Sequence, residues 1–318
     1  MQKKYKVLIV DRIHDVLIEK LKTAGIDLDY IPDILPEKIL NIINTYHGLV
    51  IRSKMKIDKP VIDRADNLVF IARAGSGMEN IDVDYAEKRN IICLNSPEGN
   101  SNSVGEHALG MLLSLLHKIS TSNISVKNYN WDRLSFRGEE LAGKTVGIIG
   151  FGNTGSAFAR KLSGMDVMIL TYDKYKKNFS NEYVKECSLS EIQKQADIIS
   201  FHVPYNKETH YYLDKNFIDK TEKAFYLINT SRGKVINTKD MLEAVKSGKI
   251  IGACLDVIEF EDTNFNKTQI PVNNKIITEI LQCENILLTP HIAGLSRQSD
   301  YKIASVLADK IIMKIKFL

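Results

Sequence analysis

Residues 144–155 read Lys-Thr-Val-Gly-Ile-Ile-Gly-Phe-Gly-Asn-Thr-Gly, a short apolar run that ends in a cluster of glycines. Such a run is typical of a buried parallel strand. Gly150, Gly152 and Gly155 form the pattern G-x-G-x-x-G. The first glycine permits a tight turn, the second lets the backbone approach a pyrophosphate, and the third lets a helix pack close to the strand. The apolar face of that helix is supplied by Ala157, Phe158, Ala159 and Leu162, and its N-terminus is expected to face an anion.

A second apolar run, Val167 to Leu170, leads to Asp173 about 20 residues after the glycine loop, as the dinucleotide fingerprint requires. An acidic group at this position accepts the ribose hydroxyls of NAD and repels the 2′-phosphate of NADP, so NAD is the expected cofactor. Three lysines follow directly and could weaken the preference for NAD over NADP; they are Lys174, Lys176 and Lys177. The alternative is that the glycines serve only tight packing and that Asp173 is only a solvated strand end.

The composition sets limits on the kind of protein. The chain has 318 residues, a net charge of +4 and 26% charged residues, which suits an ordinary surface on about two domains. No long single-sign block stands out, so nucleic acid is not an expected partner. There is neither a signal-peptide core nor a run long enough to span a membrane, so a cytoplasmic location without membrane contact is expected. The scattered cysteines predict buried thiols rather than disulfides or a metal site; they are Cys93, Cys187, Cys254 and Cys283.

The first hundred residues alternate strands and helices, which predicts a small α/β domain with a parallel sheet covered on both faces. The expected strands are Val7 to Val10, Leu49 to Ile51, Leu68 to Ile71 and Ile91 to Leu94, with helices at Leu35 to Ile43 and Val83 to Lys88. Two strands end in loops that suit an anion. One loop is Arg52-Ser53-Lys54 and the other is Arg73 to Gly77, in which Ala74 to Gly77 could form a nest of backbone N–H groups around a carboxylate. The plainer alternative is a glycine turn flanked by surface arginines.

A long helix is predicted from Ser103 to Ser120, apolar nearly all round, with His107 as a structural histidine near its start. A polar loop then covers Trp131 to Leu141. Beyond Asp173, further strands give a six-stranded doubly wound sheet. The last helix, Arg297 to Lys314, is expected to pack back on the first domain.

Three side chains at strand ends of this second sheet suit the oxidation of a 2-hydroxy acid. His291 could accept the hydroxyl proton, Glu261 could orient the imidazole and favour its protonated form, and Arg232 could hold a carboxylate through two charge-assisted bonds. Each also has an ordinary interpretation. Arg232 could be a solvated turn residue, Glu261 a surface acid, and His291 a helix-capping residue after Pro290.

At this point the sequence resembles the D-isomer-specific 2-hydroxyacid dehydrogenase family over nearly its whole length. The matching motifs are Arg73 to Gly77 with Asn80 to Asp82, Ser103 to His107, Gly143 to Gly155, His202 to Pro204, Asn229 to Gly233, Leu255 to Val257 with Glu261, and Thr289 to Gly294. The resemblance implies that Arg232, Glu261 and His291 are catalytic. It implies a flavodoxin-like substrate domain, 1–99 completed by 295–318, and a Rossmann NAD-binding domain, 100–294. It also implies a homodimer formed through the nucleotide domain.

The same resemblance implies which residues touch the cofactor and the substrate. Cofactor contacts are expected from Gly150, Gly152, Asn153, Thr154, Gly155, Asp173, His202, Val203, Pro204, Thr209, Thr230, Asp256 and Gly294. Among them, Asn153 and Thr154 would offer backbone to the pyrophosphate, and Asp256 would hold the nicotinamide carboxamide. Substrate contacts are expected from Arg52, Ser53, Lys54, Ser76 and Gly77, and from Arg133 contributed by the partner subunit.

Within the family the chain looks most like the short 3-phosphoglycerate dehydrogenases of serine biosynthesis, because of the basic residues Arg52, Lys54 and Arg133. A glycerate, glyoxylate or hydroxypyruvate reductase is the alternative, and a non-catalytic, NAD-sensing corepressor-like module is another. Feedback by serine through an added domain is not expected. Gly105 replaces the usual alanine of the family pattern, Asp262 stands where a proline normally follows the glutamate, and the segment 262–284 is longer than usual. The altered loop leaves Glu259 as a competitor of Glu261.

Overall fold

The computed structural model describes residues 5–261 and 274–316. It divides into two compact units. The first unit contains the described residues 5–100 and 295–316, and the second contains 101–261 and 274–294. Each unit is built around one parallel sheet with helices on both faces, so the predicted α/β fold class is confirmed. In the described residues, no helix combines the length and the apolar character needed to cross a bilayer.

The first unit has a five-stranded sheet within the residues described here, in the order β2-β1-β3-β4-β5 and parallel throughout. Its strands are β1 (Lys6–Ile9), β2 (Asp27–Tyr30), β3 (Gly48–Ile51), β4 (Phe70–Arg73) and β5 (Ile92–Asn95). This is the flavodoxin-like order. The edge strand β2 was not predicted, because its sequence Asp-Leu-Asp-Tyr is short and half charged and none of its residues is fully buried.

Helices cover both faces of this sheet and bury a separate apolar core on each. The helices are α1 (Val16–Thr23), α2 (Pro36–Ile42), α3 (Lys59–Ile62), α4 (Val83–Lys88) and the C-terminal α12 (Arg297–Ile315), with a 3-10 turn at Ile43–Thr45. One core joins β1 to α1 and α12, where Leu307 and Ile311 are fully buried. The other lies under α2, α3 and α4. The prediction that the last helix packs on the first domain is therefore confirmed.

The second unit has seven strands among its described residues, all parallel, in the order β12-β11-β10-β9-β6-β7-β8. They are β6 (Thr145–Ile149), β7 (Met168–Tyr172), β8 (Lys185–Glu186), β9 (Ile198–Phe201), β10 (Phe225–Asn229), β11 (Ile250–Leu255) and β12 (Ile286–Leu288). The predicted count of six was wrong. The extra strand is the two-residue edge β8, which is too short and too charged to carry a strand pattern.

Seven helices accompany this sheet in the part of the chain described, with a 3-10 turn at Gly233–Val235. They are α5 (Ser101–Leu116), α6 (Ile119–Lys127), α7 (Asn153–Leu162), α8 (Leu189–Gln195), α9 (Lys215–Asp219), α10 (Thr238–Lys246) and α11 (Lys275–Gln282). The predicted helix from Ser103 to Ser120 was wrong at its C-terminal end. The chain turns at Lys118, whose φ of +53° is left-handed, and a new helix then begins. Nothing in a lysine marks such a turn in the sequence.

The helices α5 and α7 lie unusually close together. A Cβ atom at Gly105 would come within 2.9 Å of the backbone carbonyl carbon of Ala157. A real side chain does not tolerate that distance, so the close approach explains why glycine stands where the family pattern has alanine. Gly105 thus lets α5 pack against the middle of the glycine-loop helix, at Ala157 and Phe158.

Candidate active site

The glycine loop leaves β6 and enters α7, and its three glycines have different surroundings. Gly150 has a φ of +95°, and a Cβ there would meet the carbonyl oxygen of His202 at 2.6 Å. A Cβ at Gly155 would meet the carbonyl oxygen of Gly150 at 2.0 Å. At Gly152, in contrast, no heavy atom within the described chain lies within 4 Å of the added Cβ. The first and third glycines are thus required by internal packing, whereas the second borders open space.

The open space at Gly152 is suited to a pyrophosphate. Gly152 is the N-cap residue of α7 and supplies no side-chain cap. The first backbone N–H groups of a helix, here those of Asn153 and Thr154, have no acceptor within the helix and attract anions. A loop without a side chain at 152 lets a phosphate reach those donors, so these residues fit a dinucleotide.

Asp173, at the end of β7, is held by backbone donors. Its Oδ2 accepts from the N–H of Phe151 at 2.8 Å, and its Oδ1 accepts from the N–H groups of Tyr175 and Lys176 at 2.9 Å. Burial alone would raise the pKa of this carboxyl, but the three backbone hydrogen bonds outweigh it and hold the pKa below its ordinary value. A carboxylate has about four acceptor positions, so about one remains for a ribose hydroxyl.

The lysines that follow Asp173 are themselves engaged. Lys174 pairs with Glu208 at 2.7 Å, and the ammonium of Lys176 donates to the carbonyl oxygen of Phe151 at 2.9 Å. The ammonium of Lys177 donates more weakly, to the carbonyl oxygen of Asp173 at 3.4 Å. Since Lys174 is already paired with a carboxylate, it is less available to attract the extra phosphate of NADP.

The loop after β9 begins with a fully buried histidine. The Nε2 atom of His202 lies 2.8 Å from the hydroxyl of Ser200, and burial lowers the pKa of His202 to about 3. Its Nδ1 atom has no hydrogen-bond partner among the described residues, and neither has the hydroxyl of Thr230. Further along, the hydroxyl of Thr209 donates to the carbonyl oxygen of Pro204 at 2.6 Å and thereby closes the loop. Val203 directly precedes this closed loop.

His291 and Glu261 form a close pair. The Nδ1 atom of His291 lies 2.8 Å from Oε2 of Glu261, and the two side chains are only 24% and 23% exposed. Glu259 is engaged elsewhere, because its carboxylate accepts hydrogen bonds from the hydroxyl of Tyr211 and, at 3.3 Å, from the N–H of Thr238. The structure thus pairs Glu261, and not its competitor Glu259, with the imidazole.

Arg232 lies on the neighbouring strand end. Strands β10, β11 and β12 are adjacent in the sheet, and Arg232, Glu261 and His291 follow them in that order. The turn at Gly233 packs so tightly that a Cβ there would come within 1.9 Å of the carbonyl oxygen of Ile258. The Arg232 loop therefore lies directly against the loop that leads to Glu261. One guanidinium N–H of Arg232 donates to the carbonyl oxygen of Ser231 at 2.6 Å.

A buried carboxylate fixes the loop that carries His291. Asp256 is 2% exposed, and its carboxylate accepts hydrogen bonds from the hydroxyl of Thr289 at 2.6 Å and from the N–H groups of Ile292 and Ala293 at 2.8 and 2.9 Å. Its backbone oxygen accepts from the N–H of His291 at 2.8 Å, and His291 has a left-handed φ of +56°. The hydrogen bonds of Asp256 thus hold the loop in which His291 has a left-handed backbone, a conformation uncommon for residues other than glycine.

His107 joins the same network. Its Nε2 atom lies 3.0 Å from the hydroxyl of Thr289 and 3.6 Å from the carboxylate of Asp256. The sequence predicted a structural histidine here but missed its partners, because 182 residues separate it from Thr289. Gly294, expected to touch the cofactor, ends the loop that this network fixes.

The substrate residues expected in the first unit lie at the carboxyl ends of β3 and β4. Backbone N–H groups of Arg52 and Lys54, on either side of Ser53, donate to Oδ2 of Asp11 at 2.6 and 3.3 Å. The hydroxyl of Ser76, which precedes Gly77, donates to the side-chain oxygen of Asn100 at 2.7 Å. Asp11 was overlooked in the sequence, although it follows the first strand and the strand-end argument applies to it as well.

Arg133 lies in an exposed stretch of the second unit that is rich in apolar side chains. Six of them are between 47% and 101% exposed, namely Ile119, Ile124, Val126, Tyr129, Trp131 and Leu134. Part of the long segment expected to depart from the family pattern, residues 262–273, lies outside the described residues. Its described end, from Asn274, forms α11.

The chain is similar to known proteins over most of its length. A family model described as "D-isomer specific 2-hydroxyacid dehydrogenase, NAD binding domain" matches residues 109–293, which include the glycine loop and all three strand ends. The chain is 32% identical over 315 residues to the D-3-phosphoglycerate dehydrogenase of Archaeoglobus fulgidus, an alignment that covers 98% of this chain and 58% of that protein. The chain thus spans less than two thirds of that relative's length.

Two further proteins resemble it over most of both chains. The hydroxypyruvate reductase of Thermotoga maritima is 34% identical over 277 residues, which is 86% of this chain and 87% of that protein. The crystal structure of a D-lactate dehydrogenase from Aquifex aeolicus complexed with NAD and lactic acid superimposes with a TM-score of 0.84 and is 28% identical; it covers 98% of this chain and 96% of that one. This chain therefore belongs to the D-isomer-specific 2-hydroxyacid dehydrogenase family.

Proposed function

We propose that this protein interconverts a D-2-hydroxy acid and its 2-oxo acid with NAD. Among the candidate substrates we propose D-3-phosphoglycerate as the preferred one. The observation that carries the proposal is the 2.8 Å contact between His291 and Glu261, next in the sheet to the strand end of Arg232. The same sheet carries the glycine loop at β6. A base, its orienting acid, a cation and a dinucleotide loop thus lie on one edge of one sheet.

The proton chemistry follows from the tautomer of His291. Because Glu261 accepts from Nδ1, the proton of the neutral imidazole sits on Nδ1, and Nε2 is the nitrogen that accepts the substrate's hydroxyl proton. The resulting imidazolium is stabilised by the Glu261 carboxylate. Bound NAD supplies the acceptor for the hydride that leaves C2 of the substrate. Arg232 holds the carboxylate and stabilises the developing carbonyl group.

The cofactor would be held by the second unit. The backbone at Gly152, Asn153 and Thr154 would receive the pyrophosphate, and Asp173 would accept a ribose hydroxyl, which favours NAD over NADP. Asp256 would bind the nicotinamide carboxamide. The three hydrogen bonds that the Asp256 carboxylate accepts fix its orientation and leave about one acceptor position for the carboxamide.

The choice of 3-phosphoglycerate rests on the basic residues and on the relatives. Arg52, Lys54 and the partner subunit's Arg133 would bind the phosphate, while Ser76 and Gly77 would bind the carboxylate. The relative from Archaeoglobus fulgidus carries the name D-3-phosphoglycerate dehydrogenase, whereas the relative from Thermotoga maritima is named hydroxypyruvate reductase. Glycerate, glyoxylate and hydroxypyruvate are therefore the competing substrates.

A homodimer through the second unit is part of the proposal. The exposed apolar side chains of the segment between residues 119 and 134 suit burial against a second copy of the chain, because large exposed apolar surface marks interaction sites. Such a dimer would carry Arg133 to the partner's substrate.

The decisive assay is NADH formation by the purified protein on D-3-phosphoglycerate, D-glycerate and D-lactate, each compared with its L-isomer. We expect turnover of the D-isomers, with the highest kcat/KM on the phosphorylated acid. Equal kcat/KM on D-3-phosphoglycerate and D-glycerate would contradict the claim that the site recognises the substrate's phosphate. Tight NAD binding without any turnover would favour the corepressor-like alternative.

A further inference from the structure

Both basic side chains of the loop after β3 have partners in this structure. The guanidinium of Arg52 pairs with the carboxylate of Asp300 at 3.2 Å, and the ammonium of Lys54 donates to the carbonyl oxygen of Pro32 at 2.7 Å. The backbone of the same loop is held by Asp11. Asp11 therefore positions the loop, whereas Asp300 faces the charged end of Arg52.

We infer that Asp300 is the resident counter-ion of Arg52 that an incoming phosphate must displace, and that it thereby sets the preference between phosphorylated and unphosphorylated substrates. The inference rests on the proposed function. Asp300 lies in the first turn of α12, four residues after the N-cap Ser296, in the same compact unit as Arg52.

Charge and geometry support the displacement. Arginine holds a phosphate by two parallel charge-assisted bonds, so a dianionic phosphate that binds in this way competes for the Nη1–H group that donates to Asp300. A carboxylate left beside the bound phosphate repels it. The uncharged hydroxymethyl group of glycerate neither competes for Arg52 nor meets this repulsion. Asp300 therefore penalises the phosphorylated acid selectively.

The size of the effect follows from exposure. The side chain of Arg52 is 30% exposed and that of Asp300 is 46% exposed, so the pair is half solvated. Ion pairs of this kind contribute little, and we expect a change of about fivefold, which corresponds to about 1 kcal/mol at 1.36 kcal/mol per factor of ten. Lys54 is held by a neutral carbonyl and adds no comparable competition between charges.

The test is Asp300→Asn, which removes the charge and keeps the size. The measured quantity is the KM for D-glycerate divided by the KM for D-3-phosphoglycerate. We expect this ratio to rise about fivefold. The matched control is Asp309→Asn on the same helix, which breaks the pair of Asp309 with Lys20 and should leave the ratio unchanged. An unchanged or smaller ratio in Asp300→Asn overturns the inference.

A double-mutant cycle with Arg52→Ala distinguishes a counter-ion from a merely structural residue. If Asp300 acts mainly by competing for Arg52, Asp300→Asn raises the ratio by clearly less than fivefold in the Arg52→Ala background; a full fivefold rise there contradicts the inference. If the wild type turns over neither acid, the proposed function fails. The inference about Asp300 is then tested by calorimetric measurement of the affinity for 3-phosphoglycerate. About fivefold tighter binding by Asp300→Asn supports the inference, and equal binding overturns it.

Discussion

Replacing Gly152 by alanine separates cofactor binding from folding. No heavy atom of the described residues lies within 4 Å of the added Cβ, and the backbone at Gly152, with a φ of −82°, is one that alanine adopts. Alanine is a poorer N-cap than glycine but restricts the unfolded chain, so the two effects oppose each other within about 1 kcal/mol. The new methyl group instead occupies the space next to the backbone donors of α7. We expect the Kd for NAD to rise at least tenfold, or about 1.4 kcal/mol, with little change in Tm.

The matched control is Gly155→Ala. Its Cβ would lie 2.0 Å from the carbonyl oxygen of Gly150, a backbone atom that cannot move aside cheaply. Overpacking of this kind costs about 1–3 kcal/mol, which is several degrees of Tm for a unit of this size. For both variants, the Kd for NAD is measured by calorimetric titration and the Tm by thermal unfolding in the absence of NAD. Wild-type affinity for NAD in Gly152→Ala would refute the placement of the pyrophosphate at this loop.

Three further outcomes are expected. Glu261→Gln keeps a hydrogen-bond partner for His291 but loses the charge, so kcat should fall on the order of 100-fold while the Kd for NAD stays the same, and an unchanged kcat counts against the pair. Burial lowers the pKa of His202 to about 3, so the folded state loses stability as pH falls below the ordinary histidine pKa of about 6.5, by about 2 kcal/mol at pH 5. Urea unfolding of His202→Asn should show a correspondingly smaller loss between pH 7 and pH 5; an identical loss contradicts the burial argument. Trp131→Ser combined with Leu134→Ser should convert a dimer into monomers in light scattering, and a persistent dimer would place the interface elsewhere.

The sequence predicted the elements whose patterns are local. The run from Lys144 to Gly155 has strand, turn and helix signals in direct succession, and the structure forms β6 and α7 there. Strands β2 and β8 were not predicted from the sequence, because edge strands need little apolar surface and so lack an apolar pattern. The end of α5 was not predicted because it lies at Lys118, a residue with a left-handed backbone whose type gives no turn signal in the sequence.

The candidate site divides in the same way. The positions of Arg232, Glu261 and His291 after adjacent strands could be inferred, because parallel strands bring their carboxyl ends to one edge. The choice between Glu261 and Glu259 could not be inferred from the sequence, because it depends on which of the two nearby carboxylates reaches His291. The network of His107 with Asp256 could not be inferred either, because it joins segments far apart in the chain.

The most direct test of the proposed chemistry is the kcat of His291→Asn on D-3-phosphoglycerate, measured by NADH formation. Asparagine tolerates the left-handed backbone at this position, so the loop should keep its shape. If His291 is the base, kcat falls by a factor of about 10² to 10⁴ while NAD binds as in the wild type. A variant that keeps more than about a tenth of the wild-type kcat would contradict the assignment, because loss of a general base costs at least about 10²-fold.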